Sequence, residues 1–549
     1  MESNQNKSVK KEDVDWFQVG QECYNKQDYN NAIDAYKKAL ELEPKNKIWW
    51  NNLGNAYFFS NEYDNAFDAY ERSLKIDPSY IMPIKSLGKL ASLFADKKDY
   101  KRAKRILKLA LYYNWEHLES WIELGRVYRL IGQFEKAINS YNHALELDTN
   151  NKILYNNLGY AYFCNEQYDK SFDCYSISLN IDPKNECLLE NLKTLSSKYI
   201  EKGEYYKAIY TLEIVLEVNK KDENGWIDLG RAYRLYGKTD KAIEAYNRAL
   251  ELNKTNKITL NNLGYAYQCK GAYKEAINAY KKSLEIDPLY NVPSENLVNL
   301  AYIYIEKGNF ESAVDVFKIT LEFNPKYANN WIDLGRALRM NKKYDDAIEA
   351  YEKALELDPH NKITLNNLGY VYYCKKRYKK ALETYKRALA IDPLYNYSLE
   401  NLVSLASSCR NHNEIDEAIE IYEYLLKSGS KNIELLINLA ESYKIVGNYE
   451  DAIESYKQAL YFDPFNKHTW NEIGFVYYLN QNFEKAIDAY YRALKIDPNY
   501  RESIKNLLSL ASAFKNKNEN DKSAETYKLI LEFDKGNEIA KLNLIENKL

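Results

Sequence analysis

Apolar residues along this chain recur at spacings of three and four, in short bursts separated by turn residues. In one burst Trp121, Leu124, Gly125 and Tyr128 fall at positions 4, 7, 8 and 11 of a first segment, and Ala137, Tyr141 and Ala144 at positions 20, 24 and 27 of a second. Such spacings place each set on one face of an α-helix. Two amphipathic helices are predicted, joined where Gly132 and its counterparts Gly203, Gly237, Gly308 and Gly447 stop the first helix and turn the chain back. Asp-Pro pairs at Asp77, Asp182, Asp287, Asp392 and Asp497 end second helices, because proline disfavours helical backbone in the residue before it.

The bursts repeat, and the repeats repeat. WIELGRVY at 121–128 returns as WIDLGRAY at 226–233 and WIDLGRAL at 331–338; NNLGYAY at 156–162 returns at 261–267 and, as NNLGYVY, at 366–372. Each step is 105 residues, which divides into units of 34, 34 and 37. In the longer third unit the glycine of position 8 gives way to Lys193, Val298, Val403 or Leu508, although Gly88 keeps it. The three extra residues are expected inside the first helix, lengthening it by almost one turn.

The pattern W-x2-L-G-x2-Y…A-x3-F…P identifies the chain as resembling the tetratricopeptide repeat family, recurring fifteen times over residues 13–537. The resemblance implies an all-α fold: a right-handed α-solenoid superhelix of helix-turn-helix repeats whose first helices line a concave groove. Expected boundaries are a polar tail at 1–12, one continuous solenoid at 13–537, and a capping helix at 538–549 that closes the exposed end. The triplets run 13–117, 118–222, 223–327, 328–432 and 433–537.

On a first helix, positions 2, 6, 9 and 13 point opposite to the core positions and are free for a partner. Position 6 is mostly asparagine: Asn52, Asn157, Asn191, Asn262, Asn296, Asn367, Asn401, Asn438 and Asn506. An amide donates and accepts, so a ladder of them suits the backbone of an extended peptide. It resembles the asparagine ladder in the repeat domain of protein O-GlcNAc transferases. Coding bias, or bonds to neighbouring helices, would equally produce it. First units carry an acid at position 6 (Glu123, Asp228, Asp333) and arginine at Arg126, Arg231 and Arg336, then again at Arg129, Arg234 and Arg339. These arginines either fork onto partner carboxylates or pair with the chain's own acids. Middle units turn Tyr160, Tyr265 and Tyr370 to the same face, with Ile153, Ile258, Ile363 and the cysteines 164, 269 and 374. The dicarboxylate clamp of chaperone-binding relatives is not completed: Lys85 and Lys89 begin it, but Glu123 stands where asparagine is needed.

Composition narrows the function. Lys and Arg total 76 against 79 Asp and Glu, a net charge of −3, which gives nucleic acid no electrostatic footing. No window approaches 18 apolar residues, so membrane insertion is not expected. Seven scattered cysteines without a C-x-x-C, and a start lacking an apolar leader, point to reduced thiols and the cytoplasm. Five isolated histidines and the lack of catalytic motifs suggest no enzyme, metal or cofactor. Twelve of the 53 tyrosines occupy position 24, a packing position. The expected function is a non-enzymatic scaffold binding a protein or extended peptide, including one with acidic segments. The alternatives are a recruiting subunit for a separately encoded enzyme, such as a peptide-modifying glycosyltransferase, or a structural component that self-associates.

Overall fold

A computed structural model of the protein describes residues 15–429 and 432–546. The tail at 1–12 and the last three residues of the expected capping helix lie outside these. The described residues form 31 α-helices and no strand, and successive helices pack as antiparallel pairs. The chain divides into two compact units, Met1–Ala279 and Tyr280–Leu549, and the same pair construction is found in each.

Within a pair, glycine and tyrosine set the approach of the two helices. The helix Leu118–Leu130 buries Leu124, Gly125, Val127 and Tyr128, and its partner Phe134–Leu147 buries Ala137, Ile138, Tyr141 and Ala144. A Cβ on Gly125 would lie 2.6 Å from the Tyr141 ring, closer than packing allows. The same contact joins Gly54 to Tyr70, Gly159 to Tyr175, Gly335 to Tyr351 and Gly474 to Tyr490. Tyrosine at position 24 is therefore a core residue lying on the bare backbone of position 8, which accounts for much of the tyrosine excess.

The extra residues of every third pair lie in its first helix. Ile81–Asp96, Glu186–Glu201, Asn291–Glu306, Asn396–Asn411 and Arg501–Asn516 have 16 residues each, against 13 for Leu118–Leu130 and Lys152–Cys164. The small buried residue of these helices comes three positions later, at Ala91, Ser196, Ala301, Ala406 and Ala511, all fully buried. The glycine at position 8 is thereby released: nothing lies within 4 Å of a Cβ added to Gly88.

Turns and joints repeat as well. Gly132 has φ 74°. It donates its N–H to the Arg129 carbonyl at 3.1 Å, and Gln133 donates to Tyr128 at 2.9 Å. This is a Schellman stop. Among the described residues nine non-glycine residues take the left-handed turn elsewhere, Lys342 (φ 59°) among them. After second helices, Asp182 accepts from Lys152 Nζ at 2.9 Å, and Asp392 and Asp497 accept from Lys362 and Lys467 at 2.6 Å. These bonds clip the Asp-Pro loop to the start of the middle pair's first helix. The final helix Glu538–Glu546 packs on Asn520–Phe533 through the fully buried Ala540.

Candidate partner-binding face

Core packing consumes positions 4, 7, 8 and 11, so positions 2, 6, 9 and 13 are displaced to the other side of each first helix. Within each of the two compact units several first helices also touch the next first helix directly, as Glu186–Glu201 touches Glu223–Leu235 in the first and Lys362–Cys374 touches Asn396–Asn411 in the second. Where they do, their outward sides form a shared surface. Between Glu186–Glu201 and Glu223–Leu235 it holds a groove of about 460 Å³ lined by Thr194, Lys198, Asn224 and Asp228, which are positions 9, 13, 2 and 6. Near the start of the described chain, Gln21, Asn25, Asn52 and Asn55 line a polar pocket of about 290 Å³.

All nine candidate asparagines are half-buried, but their bonding separates them. In third pairs, the Asn191 amide donates to Asn156 Oδ1 at 2.9 Å, and Asn401 and Asn506 donate to Asn366 and Asn471 at 3.0 Å. Asn438 accepts from Arg410 at 2.8 Å. In middle pairs Asn52, Asn157, Asn262 and Asn367 make no hydrogen bond among the described residues. Asn296 belongs to a third pair and is half-buried like the rest. The acceptors Asn366 and Asn471, at position 5, are buried. Sequence reading missed them, because the doublet Asn-Asn presents two identical residues with opposite duties. The signal was the 35-residue spacing between the position-5 asparagine and the position-6 asparagine of the next first helix.

The charged rungs are also split. Arg126 pairs with Asp96, and lies 3.6 Å from Glu123. Arg231 and Arg336 are exposed and pair with no carboxylate among the described residues. Their neighbours Asp228 and Asp333 are half-buried; burial pushes these carboxyls, and that of Glu123, above the ordinary range, with the nearby arginine pulling the other way. Asp333 accepts a hydrogen bond from the Tyr302 hydroxyl.

The second arginines do not stand alone. The guanidinium of Arg129 lies 5.0 Å from the centre of the Tyr160 ring, Arg234 lies 4.9 Å from Tyr265, and Arg339 lies 5.2 Å from Tyr370. Each arginine–tyrosine pair is one composite group bridging a first pair to a middle pair. Such stacking contributes about 0.5–2 kcal/mol. Sequence reading treated the two members as separate rungs; the constant offset of 31 residues was the available clue. The Nε of Arg129 and of Arg339 is buried without a hydrogen-bond partner among the described residues.

Chemically, the face offers free amides, exposed guanidinium groups, flat aromatic surfaces and exposed isoleucines such as Ile153 at 57%. Burial pushes the Cys164 and Cys374 thiols up, away from nucleophilic character. Among the described residues no helix is long and apolar enough to cross a membrane.

Antiparallel helix pairs stacked by a glycine–tyrosine contact, with a polar face left over, define a helical repeat protein. Family models of the tetratricopeptide repeat match residues 48–80, 258–290, 433–466 and 469–500, and 298–362 with 332–396; a TPR repeat model matches 20–59, 125–166 and 230–271. Together these cover more than half of the chain, which belongs to the tetratricopeptide repeat family. That family is in general a non-catalytic protein-interaction module, and its repeats along the chain support a protein-interaction scaffold.

Among curated proteins none matches the sequence. Similar solved structures include one described as Naa15/Naa10 bound to HypK-THB (16% identity over 84% of this chain and 79% of that one, TM-score 0.38). Others are YrrB, described as a TPR protein with an unusual peptide-binding site (23%, 35% and 96%, TM-score 0.26), and MamA AMB-1 (24%, 31% and 91%, TM-score 0.26).

Proposed function

We propose that the surface of the first helices binds an extended segment of a partner protein. The middle-pair asparagines hold its backbone, and the exposed arginines hold its acidic side chains. The observation that carries this is the division among the asparagines. Third-pair amides are occupied in joining helices, whereas Asn52, Asn157, Asn262 and Asn367 are half-exposed and uncommitted. An uncommitted amide on an ordered helix has its backbone position fixed and need break no internal hydrogen bond to bind a peptide group, which lowers the cost of binding. Arg231 and Arg336 add charge-assisted donors beside it.

The test uses a fluorescent unstructured acidic probe, acetyl-(Glu-Gly-Ser)4-amide. Replacing Asn157, Asn262 and Asn367 by Ala is expected to weaken its binding at least fivefold while leaving helicity and melting unchanged. The same change at Asn191, Asn401 and Asn506 is expected to lower the melting temperature instead. Replacing Arg231 and Arg336 by Gln should flatten the salt dependence of binding. Equal effects of the two asparagine sets would overturn the division of labour.

A second reading, self-association, is favoured by one observation. On the helix Glu538–Glu546, Ile539, Leu542 and Ile545 are 55%, 62% and 62% exposed and share one side.

A further inference from the structure

Five tryptophans occupy the same place in their pairs. Trp50, Trp121, Trp226, Trp331 and Trp470 each donate the indole Nε1–H to a carbonyl six residues upstream, at Pro44 (2.8 Å), Trp115 (2.7 Å), Lys220 (3.0 Å), Pro325 (2.8 Å) and Pro464 (2.9 Å). The edge of every indole is thereby fixed, and what varies is the cover over its face. Twenty-two residues on, the second helix of the pair carries Arg72, His143, Arg248, Lys353 and Arg492 respectively. Three of these cover their indole. Arg72 lies 4.8 Å from the Trp50 centroid, Arg492 4.9 Å from that of Trp470, and the His143 ring 4.8 Å from that of Trp121, where Trp115 also stands edge-on at 5.4 Å.

Arg248 and Lys353 line the same grooves as Trp226 and Trp331 but do not stack on them. Each is in an ion pair at 2.8 Å along its own helix, with Glu251 and Glu356 respectively, whereas Arg492 stacks on Trp470 while also pairing with Asp488. Trp226 and Trp331 therefore floor open grooves of about 680 and 660 Å³, which run between the second helices of consecutive pairs, away from the first-helix surface. Acids on the walls of the first include Glu217 and Glu244, both exposed; on the second they include Asp346 and Glu349, also exposed. Lys220 and Lys318 are the opposing charges left after Arg248 and Lys353 are paired and Lys241 is drawn over Tyr233.

We propose that the grooves over Trp226 and Trp331 bind arginine side chains of a partner protein. The guanidinium lies on the indole, in the place that Arg72 and Arg492 fill over Trp50 and Trp470, and pairs with the wall carboxylates. Within one chain the same tryptophan is thus satisfied three times internally and twice left open. Arginine is favoured over lysine because a planar, weakly hydrated cation stacks on an indole while forking onto a carboxylate. This site is separate from the first-helix surface, and neither reading depends on the other.

The experiment labels the full-length protein with 5-fluorotryptophan, assigns resonances by single Trp→Phe changes, and titrates acetyl-tetra-arginine amide. The resonances of Trp226 and Trp331 are expected to shift with a common midpoint, while those of Trp50, Trp121 and Trp470 stay in place. Acetyl-tetra-lysine amide should bind at least threefold more weakly, and the citrulline peptide should produce no shift. Glu244→Lys, at an exposed position, should abolish the Trp226 shift and leave that of Trp331 intact. Lys220→Trp, which supplies the cover that Trp115 gives Trp121, should do the same. Uniform shifts of all five indoles, no shift at Trp226 and Trp331, or an unaltered Trp226 titration in Glu244→Lys would each overturn the proposal. The Asn157, Asn262 and Asn367 variant should leave this titration unchanged, so its failure and that of the first-helix reading are distinguishable.

Discussion

Position 6 shows how one residue serves two demands. Where it is asparagine, partial burial costs less than for a carboxylate, because a neutral amide gives up less hydration than a charge does. Where it is Asp228, the carboxyl is half-buried without a hydrogen-bond donor among the described residues, and burial pushes it up, with Arg231 and Lys193 opposing. A carboxyl raised in the folded chain takes up its proton more readily there than in the unfolded chain. Its contribution therefore favours folding at low pH and is progressively lost as pH rises through its raised value. Asp228→Asn, which restores the residue used by neighbouring pairs, is expected to raise the melting temperature at pH 7. The gain should shrink toward pH 5. The loop carboxyls Asp182, Asp392 and Asp497 behave oppositely: hydrogen bonds from lysine hold them below the ordinary range. What they contribute is intact above about pH 4, the unfolded carboxylate value, and lost only below it. Melting of both proteins at pH 7 and pH 5 therefore isolates Asp228, and a pH-independent difference would count against the account. The polar character of position 6 was legible in the sequence. Which of its amides were already spent was not, because the acceptors lie 35 residues away in the preceding pair.

The helices themselves were legible almost throughout, since periodicity, Asp-Pro breaks and a stop glycine all agree on where they begin and end. The stops that use no glycine were harder. Lys342 donates its N–H to the Arg339 carbonyl at 3.0 Å, and Lys343 donates to Leu338 at 2.9 Å, the same bonds that Gly132 and Gln133 make. The hydrogen-bond geometry of the stop holds a lysine at φ 59°, where an L-residue carries a penalty of about 1–2 kcal/mol. Lys342→Gly relieves that strain and loses roughly 0.5–1 kcal/mol to the flexibility of glycine when unfolded. The net expectation is a gain of about 0.5–1 kcal/mol in denaturant unfolding, with no change in helicity; a loss of stability would show that the turn is unstrained. The longer first helix of every third pair was likewise readable from the 37-residue spacing, but not the shift of its small contact residue to Ala91 and its equivalents. That shift follows from which side of the lengthened helix meets its partner.

At the scale of the whole molecule, a repeat array gains stability from each pair and each junction in turn, so a helix side without a covering neighbour leaves its apolar surface in water. Among the described residues, Ile539, Leu542 and Ile545 on the helix Glu538–Glu546 are such a surface. If it drives self-association, replacing Leu542 and Ile545 by Gln should lower the mass measured by light scattering at micromolar concentration while leaving melting unchanged. A wild-type mass already equal to 64.5 kDa under those conditions would reject this reading. The sequence by itself determined the all-α class, the helix pair, its length and the outward positions, because these depend on local periodicity and on which residues can occupy a turn. Only tertiary structure decided which outward residues are free. Asn191 and Asn157 are identical in a sequence pattern, as are Arg72 and Arg248. Their difference lies in the partners each side chain takes in the packed chain: Asn156 for Asn191, the face of Trp50 for Arg72, and for Arg248 the carboxylate of Glu251 without stacking on Trp226.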